Sequence, residues 1–242
     1  MFATLLLEVL LTAANPFGVA IGPDGALYVC EVDAHRIVRI DPSTKAQTVV
    51  ATGNEPYEMR FDRSGRLVWV DMRDAAIYRD GRNLKIRGLR QPHAIEWAAD
   101  GALLICDTGN HRVVRHDPRS GVAETWSVTG NRYRGPRTFA RDPAGPLYLA
   151  LREGNAILKI DEATGAVEQI ASVGPKGMAF HNGALYLADT ENHRIQRLDL
   201  KTRALTTVAE SLKRPHGVWV HDNWLYIGDS ENHRVLRLRL EP

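Results

Sequence analysis

The stretch GPKGMAFHNGALYLADTENHRIQRLD, Gly174 to Asp199, carries one full cycle of signals. A proline turn at Pro175 opens a short apolar run. Asn182-Gly183 then reads as a two-residue hairpin turn, because both residue types tolerate the positive φ that such turns demand. ALYLAD follows as a second strand, and HRIQRL reads as a third. The same cycle recurs along the chain, so the stretch is one repeat of an array.

Six turns carry a proline: Pro16, Pro56, Pro92, Pro136, Pro175 and Pro215, spaced by 40, 36, 44, 39 and 40 residues. That period fits a four-stranded propeller blade. Each unit continues with a small-residue turn: Asp24-Gly25, Ser64-Gly65, Asp100-Gly101, Ala144-Gly145, Asn182-Gly183 or Asp222-Asn223. Polar, β-branched segments such as AQTVVA, AETWSV, AVEQIA and ALTTVA supply a fourth strand to most units. The last unit reaches LRLRLEP with only three strands. LEVLLTAANP aligns with AQTVVATGNEP of the first unit, so the segment Met1 to Ala14 is expected to complete blade six. Ring closure removes open sheet edges, which would otherwise invite pairing with other chains. The expectation is an all-β, six-bladed β-propeller occupying residues 1–242 as one domain.

Composition agrees with an ordinary globular chain: 242 residues, 44% hydrophobic, 25% charged and a formal net charge of +2. Most arginines fall at a repeated strand position, so they do not form a DNA-binding face, and no DNA partner is expected. The apolar N-terminus resembles a secretory signal, but it lacks a basic start and Glu8 interrupts it. The closing-strand reading explains it better, and a cytoplasmic, monomeric protein with no membrane association is expected. Cys30 and Cys106 occupy one position in two repeats, which reads as two buried thiols rather than a disulfide.

The repeated motif is Asn110-His111-Arg112-Val113, Asn192-His193-Arg194-Ile195 and Asn232-His233-Arg234-Val235, each three residues after an aspartate, with a degenerate copy at Ala34-His35-Arg36-Ile37. It resembles the NHL-repeat family of propellers. Blades two and four depart from it, with Ala75-Ala76-Ile77 and Gly154-Asn155-Ala156-Ile157, but a residue recurring in blade after blade serves what those blades share. His35, His111, His193 and His233 are therefore read as structural. So are the acids Glu31, Asp71, Asp107, Asp189 and Asp229, whose carboxylates are expected to satisfy backbone donors. Leu151 breaks that column in blade four.

Function is expected where the repeats differ at one position. The residues after the six prolines are Phe17, Tyr57, His93, Arg137, Lys176 and His216, and each begins an innermost strand at the mouth of the central channel. A phenol, two imidazoles, an arginine and a lysine are an inventory for acid–base work and anion stabilisation. A water-filled polar channel lining is the alternative. The Pro-His turns also resemble those of six-bladed peptidyl-hydroxyglycine lyases, in which such histidines hold zinc with tyrosine and arginine assisting. The resemblance implies His93 and His216 as ligands of a divalent metal (Zn or Ca) and, more loosely, Tyr57 and Arg137 as catalytic groups. The lyases use three such histidines, and this chain has two. Glu58, where other blades have Gly18, Gly177 and Gly217, is the candidate third ligand. Glu96 aligns with Arg60 and reads as its ion-pair partner.

His116, His181 and His221 fall in turns and read as surface residues. The insertion Thr129-Gly130-Asn131-Arg132-Tyr133-Arg134 precedes blade four, placing Arg132 and Tyr133 to contact a substrate. Two functions follow as expectations. The first is a small-molecule enzyme, a metal-assisted hydrolase of ester, lactone or phosphoester bonds or a lyase, with catalytic Tyr57, Arg137 and Lys176 and with Phe17 contacting substrate. The architectural analogy is to gluconolactonases, paraoxonase-like hydrolases and streptogramin lyases. The second is a non-catalytic module that binds protein or RNA through Arg132, Tyr133, Arg134, Arg137 and Lys176.

Overall fold

A computed structural model describes residues 7–130, 132–143 and 145–241. Strand β1 (Leu7–Thr12) comes first. Five sheets then form from consecutive strands. These are β2–β5 (Pro16–Ile21, Leu27–Glu31, Arg36–Ile40, Gln47–Thr52) and β6–β9 (Pro56–Phe61, Leu67–Asp71, Ala76–Arg79, Arg82–Asn83). Next come β10–β13 (Pro92–Trp97, Leu103–Asp107, Arg112–His116, Ala123–Thr125) and β14–β17 (Pro136–Arg141, Leu147–Leu151, Ala156–Ile160, Val167–Ala171). The fifth is β18–β21 (Gly177–His181, Ala184–Asp189, Arg194–Asp199, Leu205–Ala209). The last three strands, β22–β24 (Pro215–His221, Trp224–Asp229, Arg234–Arg239), make a sixth sheet with β1. Six antiparallel four-stranded sheets of this kind are the blades of a six-bladed β-propeller.

The closing strand is present. β1 runs antiparallel to β24, with Leu7 opposite Leu238 and Thr12 opposite Arg234. Glu8, the residue that spoiled a signal-peptide reading, accepts a hydrogen bond from Arg237 Nε at 2.7 Å. The first six residues of the expected segment lie outside the described residues, as do Asn131 of the insertion and Ala144 of the blade-four turn. Among the described residues no helix is long and apolar enough to cross a membrane.

By contacts the chain divides into two units. One comprises Met1–Thr52 with Lys176–Pro242 and holds blades one, five and six; the other is Gly53–Pro175 and holds blades two, three and four. Each has its own apolar layers between neighbouring blades. In the first unit, Ala188, Ile195, Leu225, Ile227 and Leu236 pack between blades five and six. In the second, Leu104, Cys106, Phe139, Leu149 and Leu158 pack between blades three and four. Burying a leucine or phenylalanine is worth about 1.5–3 kcal/mol, so these layers dominate stability. Cys30 and Cys106 are both buried in these sheets.

The repeated polar motif holds blades internally and to one another. Asp107 is fully buried. It accepts bonds from the Arg90 backbone N–H at 2.7 Å, Asn110 Nδ2 at 2.8 Å and Arg112 Nε at 2.7 Å. Asp229 repeats this with Lys213 N, Asn232 and Arg234. The motif histidines do not begin strands, contrary to the sequence reading. Each closes a three-residue 3₁₀ turn in the left-handed region, at φ 55° for His111, 58° for His193 and 52° for His233. There, Nδ1 accepts a backbone N–H from the loop leading to the next blade: Gly135 at 3.3 Å, Arg214 at 3.1 Å and Asn15 at 3.2 Å.

A second tie between blades comes from the residue after the aspartate. Thr108 Oγ1 donates to Pro136 O at 2.6 Å, Thr190 Oγ1 to Pro215 O at 2.5 Å and Ser230 Oγ to Pro16 O at 2.6 Å. Each fixes the start of the next innermost strand. One fourth strand is shorter than expected: β13 stops at Thr125 because Trp126 turns into the core, and blade two, for which none was expected, has a two-residue β9. His116 is corrected outright. It lies on β12 at 4% exposure, not at the surface, and burial lowers its pKa from the usual histidine value.

Candidate functional site

The six candidate positions fall at the starts of the innermost strands, as expected, three in each unit. In the first unit these are Phe17 on β2, Lys176 just before β18, and His216 on β22. The strands approach closely, and all three carry glycine at the following position, Gly18, Gly177 and Gly217. A Cβ on Gly177 would lie 2.0 Å from His216 O, and one on Gly217 would lie 2.0 Å from Phe17 O.

His216 is 8% exposed, and its ring stacks on Phe17 with centroids 4.0 Å apart and planes 11° from parallel. Its Nδ1 lies 2.9 Å from Arg214 O and 3.1 Å from Ser230 Oγ. A carbonyl can only accept, and the Ser230 hydroxyl proton is already directed to Pro16 O, so Nδ1 carries the proton. The basic lone pair is therefore on Nε2. Tautomer and ring plane are both fixed by backbone, hydroxyl and Phe17.

Lys176 Nζ sits 2.7 Å from Glu191 Oε1, and Arg214 binds the same carboxylate at 2.6 and 3.2 Å. The Lys176 bond, followed by Arg214, holds the Glu191 pKa down at about 2. Arg214 also reaches Glu231 at 3.1 Å. Its own carbonyl orients His216. The ion pair therefore braces the segment that positions the imidazole. Glu191, Arg214 and Ser230 were not foreseen as part of this arrangement. A signal existed: blades five and six read Asp-x-Glu-Asn-His-Arg, whereas blade three has Gly109 in place of the glutamate.

In the second unit, Tyr57 on β6, His93 on β10 and Arg137 on β14 come together. The Tyr57 hydroxyl accepts a hydrogen bond from Arg137, whose guanidinium also lies over the phenol ring at 5.0 Å. Arg137 is 3% exposed. Burial pushes the Tyr57 pKa up against the opposing pull of Arg137, so the phenol is neutral at ordinary pH. His93 meets Tyr57 edge-on at 4.9 Å, and its buried Nδ1 has no hydrogen-bond partner among the described residues.

Glu58 does not present its carboxylate to these groups. One oxygen is held by Arg60 and the other accepts the Ile95 N–H at 2.8 Å. Arg60 Nε reaches Glu96 at 3.1 Å, the ion pair read from the sequence. Burial pushes the Glu58 carboxyl up to about 7 despite Arg60. With both oxygens engaged, Glu58 does not complete a metal-ligand set. Among the described residues no three His, Cys, Asp or Glu side chains converge to hold an ion.

The insertion before blade four is more anchored than expected. Tyr133 is half-buried against the core between blades three and four, with Arg132 over its ring at 5.6 Å. Arg132 is exposed and donates to Val128 O at 2.9 Å.

A six-bladed propeller whose blades differ at the first inner-strand position is an architecture shared by enzymes and binding proteins. Residues 173–198 match the NHL repeat. The chain is 29% identical over 107 residues to NHL repeat-containing protein 2 of Gallus gallus, a match covering 44% of this chain and 11% of that protein. This chain thus matches only a small part of that relative's length. Among solved structures, a gluconolactonase from Xanthomonas campestris superposes with a TM-score of 0.81 at 18% identity, covering 97% of this chain and 89% of the other. Virginiamycin B lyase from Staphylococcus aureus superposes with a TM-score of 0.68 at 16% identity, covering 98% and 89%. At these identities the likeness establishes the fold.

Proposed function

We propose that this chain is a small-molecule enzyme, a hydrolase or lyase acting on ester, lactone or phosphoester bonds, with His216 as its general base. The observation that carries the reading is the fixed tautomer of His216, whose Nδ1–H is directed to Arg214 O and Ser230 Oγ while the ring lies on Phe17. A base oriented through its far nitrogen is the arrangement that proton transfer requires. In hydrolysis, Nε2 takes a proton from water as the water oxygen bonds to the carbonyl carbon. The imidazolium then returns that proton to the departing alkoxide. In elimination, Nε2 takes the proton β to the leaving oxygen, and the C–O bond breaks as the double bond forms.

Phe17 offers an apolar face to substrate carbon. Lys176, held by Glu191, is a cation of fixed position for an anionic substrate oxygen. In the second unit, the Tyr57–Arg137 pair is suited on its own geometry to hold a negatively charged oxygen. Glu58 is omitted from this chemistry, and no step is assigned to a metal, because its carboxylate is committed to Arg60 and Ile95. The gluconolactonase neighbour favours substrates with a lactone bond. The test is a turnover screen of esters, lactones and phosphotriesters, including gluconolactone and quinupristin, before and after exhaustive chelation. Turnover that survives chelation is expected. An inactive protein across the panel, or activity abolished by chelation and restored by Zn or Ca, contradicts the assignment.

A binding module is the second reading, favoured by the NHL match and by exposed Arg132 beside anchored Tyr133. In that case a protein or RNA ligand is lost on Arg132→Ala while the turnover screen stays blank.

A further inference from the structure

At the other end of blades two and three, away from Tyr57 and His93, the turns joining β6 to β7, β10 to β11 and β12 to β13 border a half-open pocket of about 480 Å³. That is the size of a small-molecule site. Five guanidinium groups line it, and the aspartates on its wall are insufficient to pair with all of them. Asp62 takes two, Arg66 at 3.1 Å and Arg79. Asp100 takes Arg115. Asp117 is turned to its own loop, accepting the Arg119 N–H and the Ser120 hydroxyl, each at 2.8 Å.

Arg63 and Arg119 form no close ion pair, although the Arg119 charge is near enough to Asp117 to help lower its pKa. Arg63 donates to Ala99 O at 3.3 Å, which aims it across the cavity from one turn toward the next. Among the described residues neither guanidinium has a carboxylate oxygen within ion-pair distance. The Trp97 indole forms part of the wall, pinned by its Nε1–H to Phe61 O at 2.9 Å. Asp62 is kept ionised, since bonds from Ser64, Arg66 and Arg79 outweigh burial and hold its pKa below the usual carboxylate value. The paired arginines therefore stay paired.

We propose that this cavity binds a small organic phosphate, its phosphoryl group held between Arg63 and Arg119 and its organic part against Trp97. Two guanidinium forks match a phosphate dianion in charge and geometry. The volume exceeds what inorganic phosphate fills, and Trp97 in the lining supplies an apolar contact for the organic part. This site is independent of the chemistry assigned to His216.

The test follows the Trp97 indole N–H by NMR during titration with phenyl phosphate, with phenol and inorganic phosphate as controls. Saturable shifts are expected with phenyl phosphate, weaker binding with inorganic phosphate and none with phenol. Arg63→Ala/Arg119→Ala should weaken phenyl phosphate at least tenfold without lowering Tm, because both side chains are exposed. Arg82→Ala, on the exposed β9 and outside the cavity, should leave binding unchanged. No shift at Trp97, equal affinity in the double variant, or equal loss in Arg82→Ala overturns the proposal. Binding of a phosphoserine peptide in place of phenyl phosphate also overturns it.

Discussion

His193 and His216 are the same residue type in the same unit, used in opposite senses. His193 accepts a backbone N–H at Nδ1, whereas His216 donates from Nδ1 to a carbonyl. The first is a structural acceptor, repeated in His111 and His233; the second is an oriented base. Ser230 connects the two roles, since its hydroxyl latches Pro16 O while accepting from His216. Ser230→Ala removes a buried donor and should lower unfolding free energy by about 1–3 kcal/mol, read by urea denaturation. It should also loosen the His216 tautomer. Glu191 provides a pH test. Its folded pKa of about 2 lies below the ordinary carboxylate value, so its contribution to stability is present above that ordinary value and is lost as pH falls toward 2. Because the Glu191 side chain is largely exposed, that contribution is small. Lys176→Ala should move the Glu191 titration upward, read by carboxyl ¹³C NMR; an unmoved midpoint would show that Lys176 does not hold it.

At the scale of elements, the regular parts were legible from the sequence. Prolines mark the six inner strands, small-residue turns mark the hairpins, and the three-stranded last repeat pointed to β1 as its partner. Those signals are local, or repeated often enough to average out noise. What the sequence hid depended on tertiary context. Nothing in HRVVRH, HRIQRL or HRVLRL says that the histidine stops short of the strand, because its left-handed conformation is stabilised by a backbone donor 21 to 24 residues later, or from the other end of the chain. Trp126 shortens β13 because the core between blades three and four takes its ring. The inner strands carry a testable constraint. Gly177→Ala would drive a methyl into His216 O and should destabilise the fold by about 2 kcal/mol or more. Blade three tolerates Ala94 at the same register, so a Gly177→Ala melt indistinguishable from the parent would show that blades five and six are no tighter.

On the scale of the molecule, the repeat both reveals and conceals function. Periodicity identified Asp107, Asp229 and the motif histidines as shared framework, and the structure finds them bonded to backbone and to their own Asn and Arg. It also directed attention to the one position where the blades diverge. The residues at that position were legible, but their partners were not: Tyr57 faces Arg137, Lys176 faces Glu191, and His216 faces Arg214 and Ser230, while Glu58 beside Tyr57 faces Arg60 and Ile95. Those directions depend on burial and on neighbouring strands, which spacing alone does not encode. The central claim is that His216 supplies the base of a small-molecule enzyme. It is tested most directly by kcat/KM for His216→Asn against the parent, on the best substrate of the turnover screen, with Tm measured on both. The account predicts a loss of about 10²–10⁴-fold with the fold intact. Equal kcat/KM in the two proteins would contradict it.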